Sequence, residues 1–374
     1  MRVGIDARLL TEPFTGIGRY TNGMCRELVK HDVNFFLYMP SRPYEANWNG
    51  NRVTVRSGNL ASRLGRMLWS QTVLPLNALR DNVDVLWSAT HRLPRWLPRN
   101  VARVVTVHDL VWRHAPETMR PFSRTLDRVL MPSAVRGADR VIAVSKSTAQ
   151  DIRAEWPSAR DKIRVIHPGG AILPPAGDAK ALTQLGIDKQ YVLFVGTLEP
   201  RKNLSRLLAA FAKLPETVRH GAKLVIAGGK GWGGVDIVRL IGELDLREHV
   251  IVTGYVNDLL LSTLYSNARL LAMPSLYEGF GLPLVEAMSR GVPVLVSNIS
   301  SLPEVAGDAG YQVDPFDVES IADGLLHLLA DEVLHESYAM RAVASASRFS
   351  WDQAARQALE VFAEAIGERR AFFC

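Results

Sequence analysis

Short β-branched runs recur along this chain and alternate with stretches of helical period. The runs fall at residues 3–5, 34–38, 53–55, 83–87, 102–107, 140–144 and 163–166. A second set falls at 191–195, 223–227, 250–253, 268–273, 292–296 and 310–313. Between them lie amphipathic segments such as 204–213 and 318–330, with apolar positions at helical spacing. This alternation predicts an α/β fold of two Rossmann-like parallel-sheet domains. A Pro/Gly-rich break at 167–178 separates the sets, which puts the domains at 1–170 and 180–350. A last helix, from about 351 to 368, follows no further strand. In doubly wound sheets ligands bind beyond the carboxyl ends of the strands, so two such domains facing a central cleft would share one site.

The length of 374 residues fits two domains better than one core. No run of 18 apolar residues exists, so no spanning helix is expected. The opening MRVGIDARLL reads as a buried strand rather than a signal peptide. Two cysteines, Cys25 and Cys374, provide neither a disulfide framework nor a metal cluster, and a reducing cytoplasm is the expected location.

The net charge of +6 is concentrated in the N-terminal half, at Arg52, Arg56, Arg63, Arg66, Arg80, Arg92, Arg95, Arg99 and Arg103. No nucleic-acid motif accompanies it, so nucleic acid is not an expected partner. Phosphate, lipid or plain solvent are the candidates for that face. Residues 60–80 set Leu64, Met67, Leu68, Trp69 and Leu74 beside Arg63 and Arg66. That is the composition of an interfacial helix, for peripheral association with a membrane surface, though such a stripe more often packs on its own domain.

The most informative segment is PSLYEGFGLPLVEAMSRGVP, residues 274–293. Glu278 precedes a Gly-x-Gly turn, and Glu286 lies about one turn into the helix that follows. Pro283 suits the first helical turn and Gly291 the residue past its end. The helix start between the two acids offers free N–H groups and partial positive charge, a place for a phosphate. Taken alone, two acids around such a turn could be an acid–base pair.

Five further pieces follow strands or open helices. Thr15-Gly16-Ile17-Gly18 would let a backbone approach a phosphate, or would simply be a tight turn. It is not the dinucleotide fingerprint, because Thr21 stands at the third glycine's place. Gly196-Thr197-Leu198-Glu199-Pro200-Arg201-Lys202-Asn203 is suited to clamp a diphosphate: Arg binds two oxygens at once and Lys acts as a point charge. Val107-His108-Asp109 puts a His at a strand tip, where it is either an active-site group or a structural hydrogen bonder. In Val144-Ser145-Lys146-Ser147, Ser145 reads as an N-cap and Lys146 as a weak acceptor-binding candidate. Gly254-Tyr255-Val256-Asn257-Asp258 could hold a nucleobase through its backbone, or be only a turn.

In this order the pieces resemble the retaining glycosyltransferases of glycosyltransferase family 4, with the GT-B fold, over essentially the whole chain. The E-x7-E segment, Gly291-Val-Pro-Val, Leu302-Pro303-Glu304-Val305 and Asp314-Pro315 carry the resemblance most strongly. Phe349-Ser350-Trp351 and its helix resemble the segment that crosses back to the N-terminal domain, so 352–374 would join it. The resemblance implies that Gly16 and Gly18 touch the donor diphosphate, that Arg201 and Lys202 neutralise it, and that Glu286 binds the ribose. Glu278 would bind the transferred sugar near C3, lined by the backbone of Gly279, Phe280 and Gly281. Leu282 would offer its N–H to phosphate, His108 would sit under the donor sugar, and Val256 and Asn257 would hold the base. Thr197 departs from the pattern, since many relatives carry Arg there; the diphosphate would then rest on Arg201 and Lys202.

The GTLEPRKN variant resembles bacterial mannosyl- and rhamnosyltransferases of O-antigen and lipopolysaccharide synthesis. It implies a GDP-linked mannose or rhamnose donor, no metal or other cofactor, and a saccharide or polyprenyl-diphosphate-linked saccharide acceptor. A UDP- or dTDP-sugar donor is the alternative within that reading. Outside it stand a glycoside hydrolase using Glu278 and Glu286 and a non-catalytic nucleotide-sugar binding protein. The Arg201-Lys202 turn counts against a hydrolase, which has no diphosphate to hold.

Overall fold

The computed structural model describes residues 1–14, 16–45, 48, 50–60, 62–170, 172–233 and 236–373, without the side chains of residues 63 and 373. Thr15, Cys374 and the side chain of Arg63 therefore lie outside what is described. The chain forms two compact units: Met1–Leu110, Thr125–Gly169 and Ser350–Cys374 make the first, and Val111–Arg124 with Gly170–Phe349 the second.

The first unit holds a seven-stranded sheet: β1 (Arg2–Asp6), β2 (Asn34–Met39), β3 (Val53–Ser57), β4 (Val85–Ser88), β5 (Ala102–Val107), β6 (Arg140–Ala143) and β7 (Ile163–Val165). The order across it is β3-β2-β1-β4-β5-β6-β7, with every pairing parallel. The second unit holds β8 (Gln190–Val195), β9 (Ala222–Ala227), β10 (Val250–Gly254), β11 (Leu270–Met273), β12 (Val294–Ser297) and β13 (Gly310–Val313). Its order is β10-β9-β8-β11-β12-β13, again all parallel. Each apolar run of the sequence became one of these strands. Most are buried on both faces, as sheets covered by helices on each side require.

In each sheet the chain winds outward from its first strand, then returns to the other side of it. The resulting switch points lie between β1 and β4 and between β8 and β11, where loops diverge and leave room for a ligand. The core of the second unit closes Val192 and Phe194 of β8 against Leu207, Leu208 and Phe211 of the helix Leu204–Ala212.

Two expectations need correction. Residues 60–80 are not one helix but two, Arg63–Gln71 and Val73–Arg80. The break is at Thr72, whose φ of −123° and ψ of −64° leave the helical region. The segment Val111–Arg124 belongs to the second unit although it precedes 170 in sequence. There Val111 and Ala115, with Met119 beside them, pack on Tyr277.

The last helix, Trp351–Phe373, belongs to the first unit and packs on β4, β5 and β6. Trp351 enters where the chain has no side chains: a Cβ at Gly23 or Gly169 would lie 2.4 Å from its ring. Charge fastens the other end, where buried Arg140 is held by Glu364 and Glu368, and Arg164 joins Glu364.

Candidate functional site

The second unit concentrates its chemistry at the β8/β11 switch point. The turn after β8 leaves the sheet through Gly196, whose carbonyl lies so close to Gly228 that a Cβ there would stand 1.9 Å away. Only glycine permits that approach. It brings residues 228–231 alongside the turn, with Leu198 bridged to Lys230. Arg201 and Lys202 end the short 3-10 turn Pro200–Lys202.

Asn203 follows in the left-handed region, φ 61°, which Asn tolerates better than most residues. Its buried amide donates to the carbonyls of Pro274 at 2.9 Å and Pro315 at 2.6 Å, and its oxygen accepts from Arg206 at 2.9 Å. One side chain thus fixes the cationic turn against the loop after β11 and the loop after β13.

Glu278 is held there by backbone and side chain. Its N–H donates to Ser300 Oγ at 3.0 Å, and its carbonyl accepts from Ser300 Oγ at 2.5 Å and Ser301 Oγ at 2.9 Å. Ser300 adopts φ 63° to do so. The carboxylate splits its oxygens: Oε2 accepts from Arg201 Nη1 at 2.7 Å and Oε1 from Lys202 Nζ. Arg201 Nε also donates to Glu199 Oε2 at 3.1 Å. Burial alone would push the Glu278 carboxyl up, but Arg201 and Lys202 outweigh it and hold it at about 2. Burial pulls the Lys202 ammonium below its ordinary value, partly offset by Glu278. Two cations and two carboxylates therefore cancel in this cluster, and an incoming polyanion competes with Glu278 for the same donors.

Next to it, Tyr277 stacks on His114, ring centroids 5.2 Å apart. Phe280 is buried edge-on to Phe349 at 5.3 Å, between Gly279 and Gly281. Gly281, at φ 102°, starts the helix Leu282–Met288, with Leu282 as its first residue. Glu286, fifth in that helix, is buried and accepts from Tyr265 Oη at 2.7 Å. Val256 and Asn257 lie in the turn after β10. There Asn257 Oδ1 accepts from the Leu260 N–H at 2.9 Å and caps the helix Asp258–Ser266. Its side-chain oxygen serves the fold, and the Asn257 carbonyl accepts from the Leu261 N–H at 2.9 Å.

In the first unit His108 follows β5. Its Nε2 donates to the Ala89 carbonyl at 2.8 Å, and its ring stands edge-on to Tyr20 at 4.7 Å. Burial drives its pKa down to about 4 despite that bond, so the imidazole is neutral near pH 7. Ser145 accepts from the Thr148 N–H at 2.9 Å and caps the helix Lys146–Glu155, as expected. Thr148 Oγ1 in turn donates to the His108 carbonyl at 3.3 Å, which ties the two loops together. Lys146 is exposed at the start of that helix. Gly16 opens the helix Gly16–Leu28 with nothing within 4 Å of a Cβ, and Gly18 would make only ordinary contacts, 3.7 Å from the Leu9 carbonyl. Packing alone thus demands glycine at neither place.

Within the second unit the structure joins the adjacent Arg201 and Lys202 to Glu278, which lies far from them in sequence. Sequence reasoning missed Asn203, Ser300, Ser301, Tyr265 and the glycine run from 228. The run GGKGWG, directly after a strand, was the available signal. Lone polar residues such as Ser300 gave none.

Residues 14–169 match the family described as Glycosyltransferase Family 4, and residues 180–349 the family described as Glycosyl transferases group 1. O-antigen chain mannosyltransferase B of Escherichia coli is 34% identical over 395 residues, covering 97% of this chain and 99% of that protein. Among solved structures, sucrose-phosphate synthase from Thermosynechococcus elongatus has a TM-score of 0.80 at 20% identity, covering 98% of this chain and 99% of that one. WaaG, a glycosyltransferase involved in lipopolysaccharide biosynthesis, has a TM-score of 0.75 at 19% identity over 96% of this chain and 99% of that one. At such identities the two structures speak for the fold alone. Matched over both units and along nearly its whole length, the chain belongs to the family 4 glycosyltransferases with the GT-B fold.

Proposed function

We propose that the chain transfers a mannosyl residue, or a related hexose such as rhamnose, from a GDP-sugar to a saccharide acceptor with retention. The process served is O-antigen or related surface polysaccharide synthesis, on a free or polyprenyl-diphosphate-linked acceptor at the cytoplasmic face of the inner membrane. The sugar and the pathway rest on similarity to a mannosyltransferase of O-antigen synthesis. The single observation that carries the chemistry is the Arg201–Lys202 pair at the switch point, holding the oxygens of Glu278.

When the glycosidic C–O bond breaks, negative charge grows on the leaving diphosphate and positive charge on the anomeric carbon. Fixed cations in a buried site stabilise the first without reorganising. A non-bridging oxygen of the leaving phosphate takes the acceptor proton as that hydroxyl attacks the same face. Configuration is then retained with no enzyme nucleophile. In this reading Glu278 binds the transferred sugar and Glu286 the ribose, with Gly279, Phe280 and Gly281 lining the sugar. Leu282, Gly16 and Gly18 offer backbone to the diphosphate, and Val256 and Asn257 to the base. Neutral His108 lies under the donor sugar and Lys146 serves the acceptor. The diphosphate needs no divalent ion in this reading, so chelator should leave the rate unchanged.

The hydrolase reading fares worse. A carboxyl held at about 2 stays ionised at neutral pH, so Glu278 is not the general acid, and Arg201 and Lys202 on its two oxygens disfavour it as a nucleophile. A thermal-shift screen of GDP, UDP, dTDP and ADP tests the donor. A nucleotide at 100 times its Kd adds about 2.7 kcal/mol, and a larger shift with UDP or dTDP than with GDP would overturn the GDP assignment. Proton NMR of the product's anomeric signal tests retention.

A further inference from the structure

The cationic turn after β8 has no charge to spare. Arg201 donates to Glu199 and Glu278, and Lys202 donates to Glu278, so two cations meet two carboxylates. The diphosphate of a sugar nucleotide brings about two more negative charges. The next basic residue along the chain, Arg206, is committed elsewhere: it donates to Asn203 Oδ1 and lies over the Phe316 ring at 5.8 Å. A further cation for the diphosphate would have to come from another segment.

The segment after β9, Gly228-Gly229-Lys230-Gly231-Trp232-Gly233, is built against that turn. Its backbone carries the β8–β9 pairing past the end of the sheet. The pair Val195–Ala227 is followed, three residues on, by Leu198–Lys230, and the Leu198 N–H donates to the Gly229 carbonyl at 3.1 Å. A Cβ at Gly231 would stand 2.3 Å from the Leu198 carbonyl oxygen and 2.9 Å from Glu199 Cγ. Gly231 therefore abuts the acid whose Oε2 accepts from Arg201, and Lys230 is the residue beside it. The Gly228 N–H donates to the Gly254 carbonyl at 2.8 Å, which fixes the same segment to the turn after β10.

Lys230 does nothing for the fold. Its side chain is exposed and makes no hydrogen bond or ion pair among the described residues. Most exposed lysines only solvate a surface. Here four glycines in six residues, each costly to order, hold the lysine against a cluster that lacks positive charge. The flexible four-carbon stem can bring the ammonium over the turn.

We propose that Lys230 is a further donor-binding residue, whose ammonium meets the diphosphate beside Arg201 and Lys202 and makes a neutral cluster cationic. The inference rests on the reading of that turn as the diphosphate site. Lys230 has its own signature: salt screens an exposed ammonium, but screens the largely buried Arg201 and Lys202 much less.

The test is calorimetric titration of the full chain with GDP and with UDP at about 0.05 M and about 1 M salt, with guanosine and uridine as uncharged controls. Lys230→Met keeps the stem and removes the charge. It should weaken the diphosphate that the wild type binds about fivefold at the lower salt and by less than about twofold at the higher. Nucleoside binding and Tm should not change, and Lys230→Arg should bind as the wild type does. A loss that persists at the higher salt, or that appears equally with the nucleosides, assigns Lys230 to loop packing and overturns the proposal. Undiminished diphosphate binding by Lys230→Met at the lower salt overturns it too, and leaves the donor reading standing. A wild type that binds neither diphosphate overturns the donor reading and this inference with it.

Discussion

Lys202 donates its ammonium to Glu278 in a pair of which each side chain is only 8% exposed, and Arg201 holds the other carboxylate oxygen at 2.7 Å. The acid assigned to the sugar and the cations assigned to the diphosphate are thus bound to one another. Lys202→Ala removes the buried cation and leaves Arg201 on Glu278, so the fold persists. Turnover should fall by about 100-fold or more, as for loss of one donor to a leaving group. Steady-state transfer assays beside circular dichroism check this; an unchanged kcat in a folded variant rules the role out.

Glu278→Gln separates the two functions. It frees both cations from their internal anion, so free GDP should bind about tenfold more tightly, or 1.4 kcal/mol. Sugar transfer should fall about 100-fold, because the sugar loses its charged acceptor. Calorimetry with GDP reads the first effect and product formation the second. Weaker GDP binding would show that Glu278 does not compete with the diphosphate.

Acid stability should show His108 first. Its pKa is lowered from 6.5 to about 4 by burial, so below pH 6.5 the unfolded chain takes up a proton that the folded chain refuses. Stability should fall by roughly 3 kcal/mol between pH 6.5 and 4 from this group. Glu278 has the depressed carboxylate's dependence: its contribution is full above the ordinary carboxylate range and is lost as pH falls toward about 2. Denaturation midpoints at pH 7 and pH 5 should therefore differ, and His108→Gln should flatten that difference. An equal slope in the variant assigns the loss to other groups.

Arg140→Ala should cost about 2 kcal/mol, since charged hydrogen bonds to Glu364 and Glu368 go together. Amide exchange should rise in the last turns of Trp351–Phe373 and leave the second unit's strands unchanged. Uniform exchange across both units would contradict this localisation.

The strands were legible because most are buried on both faces and so spell short apolar runs. Glu278 and the Arg-Lys turn were legible because they lie in the loops that follow such runs, and Glu286 because Pro283 and Gly291 bracket its helix. Asn203, Ser300 and Ser301 were not. Their importance comes from carbonyls at Pro274, Pro315 and Glu278, which no local pattern reveals. The break at Thr72 was hidden because both sides of it favour helix. The placement of Val111–Arg124 was hidden because a single aromatic, Tyr277, anchors its apolar residues. The arginine excess read as one basic surface, yet Arg52, Arg56, Arg66 and Arg92 each face an acid in their own unit.

The helix Trp351–Phe373 also sets an order of events. It is translated after every other described element, yet it covers β4, β5 and β6 of the unit that begins at Met1. On the ribosome the usual sequence, with the N-terminal domain finished first, is therefore reversed. The second unit has all its segments once Phe349 has emerged. The first must wait, one flank of its sheet bare, until that helix has emerged. A ribosome stalling shortly before residue 351 would release a chain whose damage lies in its oldest part, and a chaperone would find its work at the opposite end from the break.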